Sequence, residues 1–439
     1  MPDTHQMQPL HTTDVASAIS CRKSLWPRIQ NAALVAGQWC AIASLFVVPL
    51  NKPATNIALG LSIIFSLLGR DARARWLDAL RHPVVQGALV WWAVLMLSAL
   101  HTWYATASFP RTGSFVWACW YPLVFGSLLQ TTQWRRRGLL AFAAAVGLVL
   151  LASYGMQLGL ISQHVGVHLN PALRDTVFKE YTQQGMSTLM LACMAMAVAF
   201  VTTSKRVRRV CLLVVVLALV NVMFMLESRT TVLTLVPLVL YWLWQFIHRQ
   251  RLDKRLVFAI PLLAAAVFVV ALQTPSIQTR LVDAIPQEID QYLNSRQPTS
   301  TGIRLELWRQ TIPIIASAPL FGHGLRAWEP LYRESIAGLP HFAAFNMGHP
   351  HQEMLLIAAE QGLVGLAVFL FLLAALARYL WRLDRPERDF FICVLLIYLT
   401  AGLANGLWAD FTHRHVFILL LACIPVAARS QAVKPAGDV

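Results

Sequence analysis

Charged residues are scarce in this sequence. Only 13% of its 439 residues are Asp, Glu, Lys or Arg, whereas a soluble protein carries about 25%. Hydrophobic residues make up 57%, the mean hydropathy is +0.56, and apolar runs recur from Asn31 to Ala428. Runs of this kind cross a bilayer as helices, so the composition excludes an ordinary soluble domain and predicts an all-α polytopic integral membrane protein.

Other common features are also missing. Of the seven cysteines, Cys21 lies in the N-terminal tail and the others lie in apolar segments, which excludes a disulfide framework and a CxxC metal site. The first 29 residues are polar, and no apolar core precedes Asn31, so we expect no cleavable signal peptide. The predicted outer loops contain no P-loop or dinucleotide fingerprint, so no nucleotide cofactor is expected.

Proline, glycine and basic clusters divide the apolar sequence into about twelve predicted membrane spans. Their ranges are 31–50, 53–69, 83–101, 113–130, 138–160, 184–203, 207–226, 229–247, 255–273, 351–377, 389–408 and 413–428. Residues 1–30 and 429–439 are then tails, 31–273 hold spans one to nine, 274–350 form one large outer loop, and 351–428 hold spans ten to twelve. Within this loop we expect an irregular part up to Ser300, followed by an amphipathic surface helix with an apolar stripe of Leu305, Trp308, Ile312 and Ile315.

Basic residues predict which side each connection faces. Alternate connections, together with the two tails, carry 24 of the 36 Lys and Arg but only 9 of the 21 acidic residues. That side therefore holds the whole formal net charge of +15, and basic loops remain in the cytoplasm. We expect both termini to be cytoplasmic and the loop 274–350 to be outside. Because topology accounts for the high pI, no nucleic-acid partner is expected.

Two histidines begin the tenth predicted span on the outer side. In His349-Pro350-His351, a proline at the first helical position would place His351 in the first turn. Unpaired N–H groups and the helix dipole there disfavour imidazolium, as a general base requires, and they also suit a bound phosphate. His349 lies roughly 200° around such a helix and need not act with His351. No carboxylate or cysteine cluster surrounds the pair at ligand spacing, so no metal is expected.

Arginines on the same side indicate an anionic substrate. Arg229 follows Glu227 between two apolar runs, where a guanidinium costs about 2.5–3.5 kcal/mol unless it faces a cavity or pairs. It either binds substrate or forms a structural pair with Glu227 or a carbonyl. Arg304 and Trp308 are four residues apart and share a helix face. Guanidiniums beside a neutral histidine suggest binding of a phosphate or diphosphate.

These motifs resemble the O-antigen ligase superfamily, which also includes O-antigen polymerases and protein O-oligosaccharyltransferases. The resemblance rests on Ser228-Arg229, on Arg304-x3-Trp308 with Pro319-x2-Gly322-x-Gly324, and on His351-Gln352-x9-Gly362-x2-Gly365. The motifs cover about 140 residues, and the order of spans extends the likeness to the whole chain. Many relatives carry Asn after the histidine; Gln352 is a variant that the ligases allow, which modestly favours a ligase.

The resemblance implies a GT-C-like fold and glycosyl transfer at the periplasmic face of a bacterial inner membrane. The implied donor is an undecaprenyl-diphosphate-linked O-antigen and the implied acceptor is lipid A-core oligosaccharide, with no cofactor, ATP or metal. Matched residue by residue, His351 would deprotonate the acceptor hydroxyl, and Arg229 and Arg304 would hold the diphosphate. The further candidate substrate contacts are His349, Arg174, Lys179, Arg326 and Trp308.

Three alternatives stay open at this point. A polymerase would use the same donor with a second lipid-linked glycan as acceptor. A protein O-oligosaccharyltransferase is less favoured, because those proteins usually carry a larger C-terminal soluble portion. A twelve-span secondary transporter is disfavoured by the long outer loop, the lack of 6+6 internal similarity, and charges that collect at the outer boundary instead of mid-membrane.

Overall fold

The computed structural model describes residues 12–106, 116–161, 176–226, 228–250, 273, 278–338 and 347–426, and this part of the chain is all-helical. Its α-helices are α1 (Thr12–Val47), α2 (Lys52–Leu68), α3 (Ala72–Leu80), α4 (Pro83–Thr106), α5 (Tyr121–Leu128), α6 (Thr132–Gln157), α7 (Tyr181–Val201), α8 (Lys205–Val220), α9 (Arg229–Gln250), α10 (Ala284–Ser295), α11 (Ser300–Ser317), α12 (Trp328–Ser335), α13 (Glu353–Leu380), α14 (Glu387–Gly402) and α15 (Phe411–Leu421). Short helical turns occur at Ala118–Trp120, Asn221–Met225 and Gln278–Asp283.

The long helices define a membrane protein. Within the described ranges, seven helices are long and apolar enough to cross a membrane, or eight if α2 and α3, bent by 113°, count as one span. Large apolar side chains on these helices, such as Leu213 and Phe371, are exposed to the surroundings. An extensive apolar surface of this kind is stable in lipid and not in water. The predicted polytopic helical class is therefore confirmed.

The predicted number of spans is only partly matched. The ninth predicted span, 255–273, lies outside the described residues except for its last residue. The fourth, eleventh and twelfth correspond to α5, α14 and α15, which are shorter than a full span. The number twelve therefore stays a prediction.

The large predicted loop is mostly helical where it is described. The helix α10 occupies part of the stretch expected to be irregular, so that expectation was wrong. In α11 the buried face is Leu307, Thr311 and Ile314, whereas Ile312 of the predicted stripe is 60% exposed. The reason is tertiary: α11 packs against α12 and α13, and the indole Nε1 of Trp328 donates to Thr311 Oγ1 at 2.9 Å.

A break in α13 ties this helical outer segment to the membrane helices. At Gly362 the backbone is non-helical, and two rungs of the i→i−4 ladder are exchanged with the 318–326 loop. The amides of Leu363 and Val364 donate to the carbonyls of Pro319 and Leu320, at 2.8 and 3.1 Å. In return, the carbonyls of Ala359 and Glu360 accept from His323 and Gly324, both at 2.9 Å. All four backbone groups stay paired, as a site away from water requires.

Glycine is required where the two segments cross. Gly322 and Gly362 have φ values of +70° and +69°, and a Cβ on either would collide with the backbone of the other segment. Gly322 and Gly362 belong to two separate sequence motifs, Pro319-x2-Gly322-x-Gly324 and His351-Gln352-x9-Gly362-x2-Gly365. Their interlock fixes α11 and α12 against the beginning of α13, where the histidines lie.

Candidate functional site

His351 lies in a turn before α13 and not in its first helical turn. The helix begins at Glu353, with Gln352 as N-cap, and His351 has a left-handed φ of +51°. The prediction that Pro350 is the first helical residue was therefore wrong. Histidine is among the non-glycine residues enriched in this conformation, and the turn points its imidazole away from the helix axis toward α9 and the 403–410 loop.

The two histidine rings are close neighbours. Their centroids are 4.4 Å apart, and the backbone amide of His351 donates to His349 Nδ1 at 3.2 Å. The expectation that the rings lie on different sides of a helix was wrong, because neither residue is helical. Burial, helped by the nearby His351, lowers the pKa of His349 to about 3. His349 is therefore neutral at physiological pH.

Asn405 orients the ring of His351. Its Oδ1 lies 3.3 Å from His351 Nδ1, and its Nδ2 donates to Thr230 Oγ1 at 3.4 Å. With the amide oxygen facing the ring, the tautomer that satisfies both groups carries its proton on Nδ1 and keeps the lone pair on Nε2. Burial lowers the pKa of His351, Asn405 opposes this shift and the charge of Arg304 adds to it. The imidazole is therefore held neutral.

Arg229 makes a carboxylate pair that the sequence did not predict. Its Nη1 and Nη2 donate to the two oxygens of Glu288 at 2.9 and 2.8 Å, and Thr301 also donates to Glu288. The hydrogen bonds from Arg229 are the main reason that the pKa of Glu288 falls to about 2. The partner that the sequence suggested, Glu227, lies outside the described residues. The pair joins α9 to α10 at the edge of the site.

Arg304 is a partly buried cation with little compensation. Its Nε is buried without a hydrogen-bond partner, and Nη1 donates only to the carbonyl and hydroxyl of Ser300, at 3.2 and 2.9 Å. Burial lowers the pKa of Arg304, while Glu288 acts on it only from a distance because both its oxygens bind Arg229. Within the described ranges Arg304 forms no ion pair. A guanidinium in this state is a natural anion site.

Trp308 brings Arg304 and His351 together. Its Nε1 donates to the carbonyl of Pro350 at 3.1 Å, which ties α11 to the histidine turn. Arg304 lies one helical turn earlier on the same face, about 6 Å along the axis. The predicted sharing of a face is thus seen, and Arg304 is near enough to act on the pKa of His351.

The remaining predicted contacts are more dispersed. Arg326 is exposed in the 318–326 loop and acts electrostatically on His349. Lys179 lies before α7, where burial lowers its pKa and the charge of Asp410 partly restores it. Asp410 accepts from Gln183 Nε2 at 2.9 Å, is also held by His413, and acts electrostatically on His349. Arg174 lies outside the described residues.

The loop 403–410 supplies residues that sequence reasoning missed. Asn405 fell inside the predicted eleventh span, although the Asn405-Gly406 pair is a turn signal that would have ended that span earlier. Glu353, which had no expected role, is buried and accepts from the amide of Trp408 at 3.0 Å. It thereby holds the loop that carries Asn405. No sequence signal pointed to Glu288.

The site combines two neutral imidazoles, one paired guanidinium and one unpaired guanidinium at one end of a helical membrane bundle. Among the described residues, no group of three or more His, Cys, Asp or Glu is arranged to hold a metal ion. The class is that of a helical membrane protein, and these side chains together have the chemistry to bind an anion and to accept a proton.

Comparison with known proteins finds a family match over part of the chain. Residues 213–370 match the family model described as O-antigen ligase. This stretch includes Arg229, Arg304 and His351, so the resemblance that the motifs predicted is confirmed over residues 213–370. The chain is also 24% identical over 156 residues to an uncharacterized protein of Haemophilus influenzae, covering 34% of this chain and 39% of that protein. It thus spans about two fifths of the length of that relative.

Proposed function

We propose that this protein is an O-antigen ligase at the periplasmic face of the bacterial inner membrane. It would transfer O-antigen polysaccharide from undecaprenyl diphosphate to the lipid A-core oligosaccharide. The observation that carries this proposal is the uncompensated Arg304 guanidinium held beside a neutral, oriented His351. This pair supplies an anion site and a base, which are the two functions that transfer from a sugar diphosphate requires.

Arg304 would bind the donor diphosphate and stabilise the charge that develops as it leaves. A preorganised guanidinium with few internal partners costs no reorganisation at the moment of reaction. Arg229 would have a secondary role, because its fork is already engaged by Glu288 at 2.8 and 2.9 Å. Its remaining N–H groups and its charge can still face the diphosphate across the site.

His351 would act through Nε2 as the general base. In the proposed step, Nε2 takes the proton of the acceptor hydroxyl while the hydroxyl oxygen bonds to the anomeric carbon. The bond from that carbon to the diphosphate oxygen breaks, and the diphosphate leaves with its electron pair toward Arg304. In-line attack inverts the anomeric configuration. No ATP is consumed, because the sugar diphosphate is already activated.

The polymerase stays the second candidate, because it uses the same donor chemistry. The two differ in the acceptor. The family match covers both activities. Only an acceptor assay separates them.

The test is a purified, reconstituted transfer reaction with lipid-linked O-antigen as donor, in EDTA and without ATP. We expect product with lipid A-core and none with a second lipid-linked glycan. Transfer only to the lipid-linked glycan would establish the polymerase and refute the ligase. No transfer to either acceptor, combined with solute uptake into vesicles, would support a transporter.

The base is tested best with His351→Asn, since asparagine also tolerates the left-handed backbone that alanine strains. We expect transfer to fall by roughly 10²-fold or more, with an unchanged melting temperature. The exposed His248→Asn at the far end of α9 is the matched control. Near-normal transfer by His351→Asn would remove the base assignment.

A further inference from the structure

An apolar cavity lies between α4 and α13, and Trp408 of the 403–410 loop also lines it. The two helices touch at Trp91 and Phe369, whose ring centroids are 5.0 Å apart, and approach again where Tyr379 Oη is 3.5 Å from His82 Nε2. Between these contacts is a cavity of about 300 Å³ with an almost wholly apolar lining. It opens sideways past exposed residues of both helices, so it faces the bilayer interior.

A second cavity, with a more polar lining, continues from the first. It measures about 250 Å³ and shares Pro83, Val84 and Leu421 with the apolar one. Its lining includes Arg81 and Arg135. It lies at the end of α4 that the distribution of basic residues predicts to be cytoplasmic.

The two guanidiniums are available to an anion. Arg135 donates to the Gln130 carbonyl at 3.0 Å and to Thr132 Oγ1 at 3.5 Å, and in the described part of the chain neither arginine forms an ion pair. Asp78, the one carboxylate lining the cavity, accepts from Gln130 Nε2 at 3.5 Å. The polar cavity therefore carries a net positive charge next to an apolar channel.

We propose that these joined cavities bind an anionic phospholipid of the cytoplasmic leaflet, with its phosphate at Arg81 and Arg135 and an acyl chain in the apolar cavity. The amphipathic shape and the charge match such a lipid. From Pro83 to Trp91 the apolar part spans about 12 Å along α4, which is within one leaflet. Arg81 and Arg135 lie on the side that the basic residues predict to be cytoplasmic, so the headgroup position fits the inner leaflet and not a donor whose diphosphate sits at His351.

Native mass spectrometry of the full-length purified chain tests the proposal. The protein is titrated with phosphatidylglycerol or with phosphatidylcholine of the same acyl chains, and bound lipids are counted. Each guanidinium should contribute about a fivefold preference for the anionic lipid. We therefore expect Arg81→Gln with Arg135→Gln to lower the preference roughly 30-fold. Gly87→Leu, which fills the apolar cavity, should reduce binding of both lipids; the Cβ of Gly87 meets only Leu372 Cδ2, at 3.7 Å, so the backbone can accept a side chain.

The control removes the same charge from the same side of the membrane. Arg206 and Arg209 are exposed at the beginning of α8, away from the cavity. Their double Gln variant should keep the wild-type preference. Equal loss in this control would mean general attraction by the leaflet and overturn the site. The proposal would also be overturned if the wild-type protein showed no preference for the anionic lipid, or if it retained only polyprenyl phosphate in the joined cavities. None of these results depends on transfer activity.

Discussion

Replacing Asn405 by aspartate should change the pH dependence of transfer in a defined direction. Asn405 Oδ1 is 3.3 Å from His351 Nδ1, so Asn405→Asp places a carboxylate beside the base with little change in shape. Unit charges at about 4 Å interact by roughly 4 kcal/mol at an effective dielectric of ~20, and 1.36 kcal/mol corresponds to about one pKa unit. Desolvation of the new carboxylate offsets part of this interaction energy. The pKa of His351 should therefore rise by about one to three units.

The assay is the initial rate of transfer by reconstituted protein at saturating donor from about pH 5 to 9. Burial and Arg304 lower the pKa of His351 in the wild type, so its acid limb should lie below the usual histidine value of about 6.5. In Asn405→Asp the acid limb should move to higher pH than in the wild type by about one to three pH units, with full activity regained above it. Asn405→Ala should move it the other way, because Asn405 raises this pKa, and should also lower the plateau as the ring loses its orientation.

Stability offers a second measurement with a fixed sign. A histidine whose folded pKa is raised contributes stability below its unfolded pKa, and that contribution is lost as pH rises through the folded value. Asn405→Asp should therefore melt at a higher temperature near pH 6 than near pH 8.5, relative to wild type. The control is Asn51→Asp at the N-cap of α2. Either side chain can accept the capping hydrogen bond there, so the same substitution is made away from the site. An unchanged acid limb in Asn405→Asp, with activity retained, would refute His351 as the base.

Three further predictions concern the scaffold and the arginine pair. Gly362→Ala should destabilise the fold by about 2–4 kcal/mol, from left-handed strain and disturbed exchanged hydrogen bonds. Gly147→Ala, in open space on α6, should show no loss, and equal melting of the two would contradict the interlock. Glu288→Gln should lower the melting temperature at pH 7; the wild-type advantage should fade as pH falls from about 4.5 toward 2, because the pair lowers the pKa of Glu288. Arg229→Lys should lower transfer activity in the reconstituted assay, because lysine lacks the bidentate fork that binds Glu288 and so cannot hold the charge in place; full activity would leave Arg229 without a role in transfer.

The boundaries of helices were the least predictable part of the fold. Hydropathy located the apolar segments but placed the beginning of the tenth span at His351, when the helix begins at Glu353. This difference of two residues matters, because it places both histidines in a non-helical turn, where their ring centroids are 4.4 Å apart. A proline at position 350 is compatible with either arrangement. In the fold the Pro350 carbonyl accepts from Trp308 Nε1, a contact 42 positions away that local sequence does not reveal.

The partners of the site residues were also invisible in the sequence. Arg229 and Glu288 are 59 positions apart, and His351 and Asn405 are 54 apart. Neither periodicity nor local spacing relates residues at such separations. The glycine motifs were visible as patterns, but their purpose, an exchange of backbone hydrogen bonds between the 318–326 loop and α13, is a property of two segments together.

By itself the sequence determined the membrane class, the family motifs and the choice of His351, Arg229 and Arg304 as candidates. The membrane class follows from the apolar runs, because each run by itself makes a helix more stable in lipid than in water. The candidate residues follow from short residue patterns. Only the tertiary structure decided the surroundings of these residues. It leaves Arg304 Nε without a hydrogen-bond partner, pairs Arg229 with Glu288, and sets Asn405 against His351. The physical reason is that a side chain's charge state and freedom depend on the groups that packing brings against it, and packing joins residues that the chain keeps far apart.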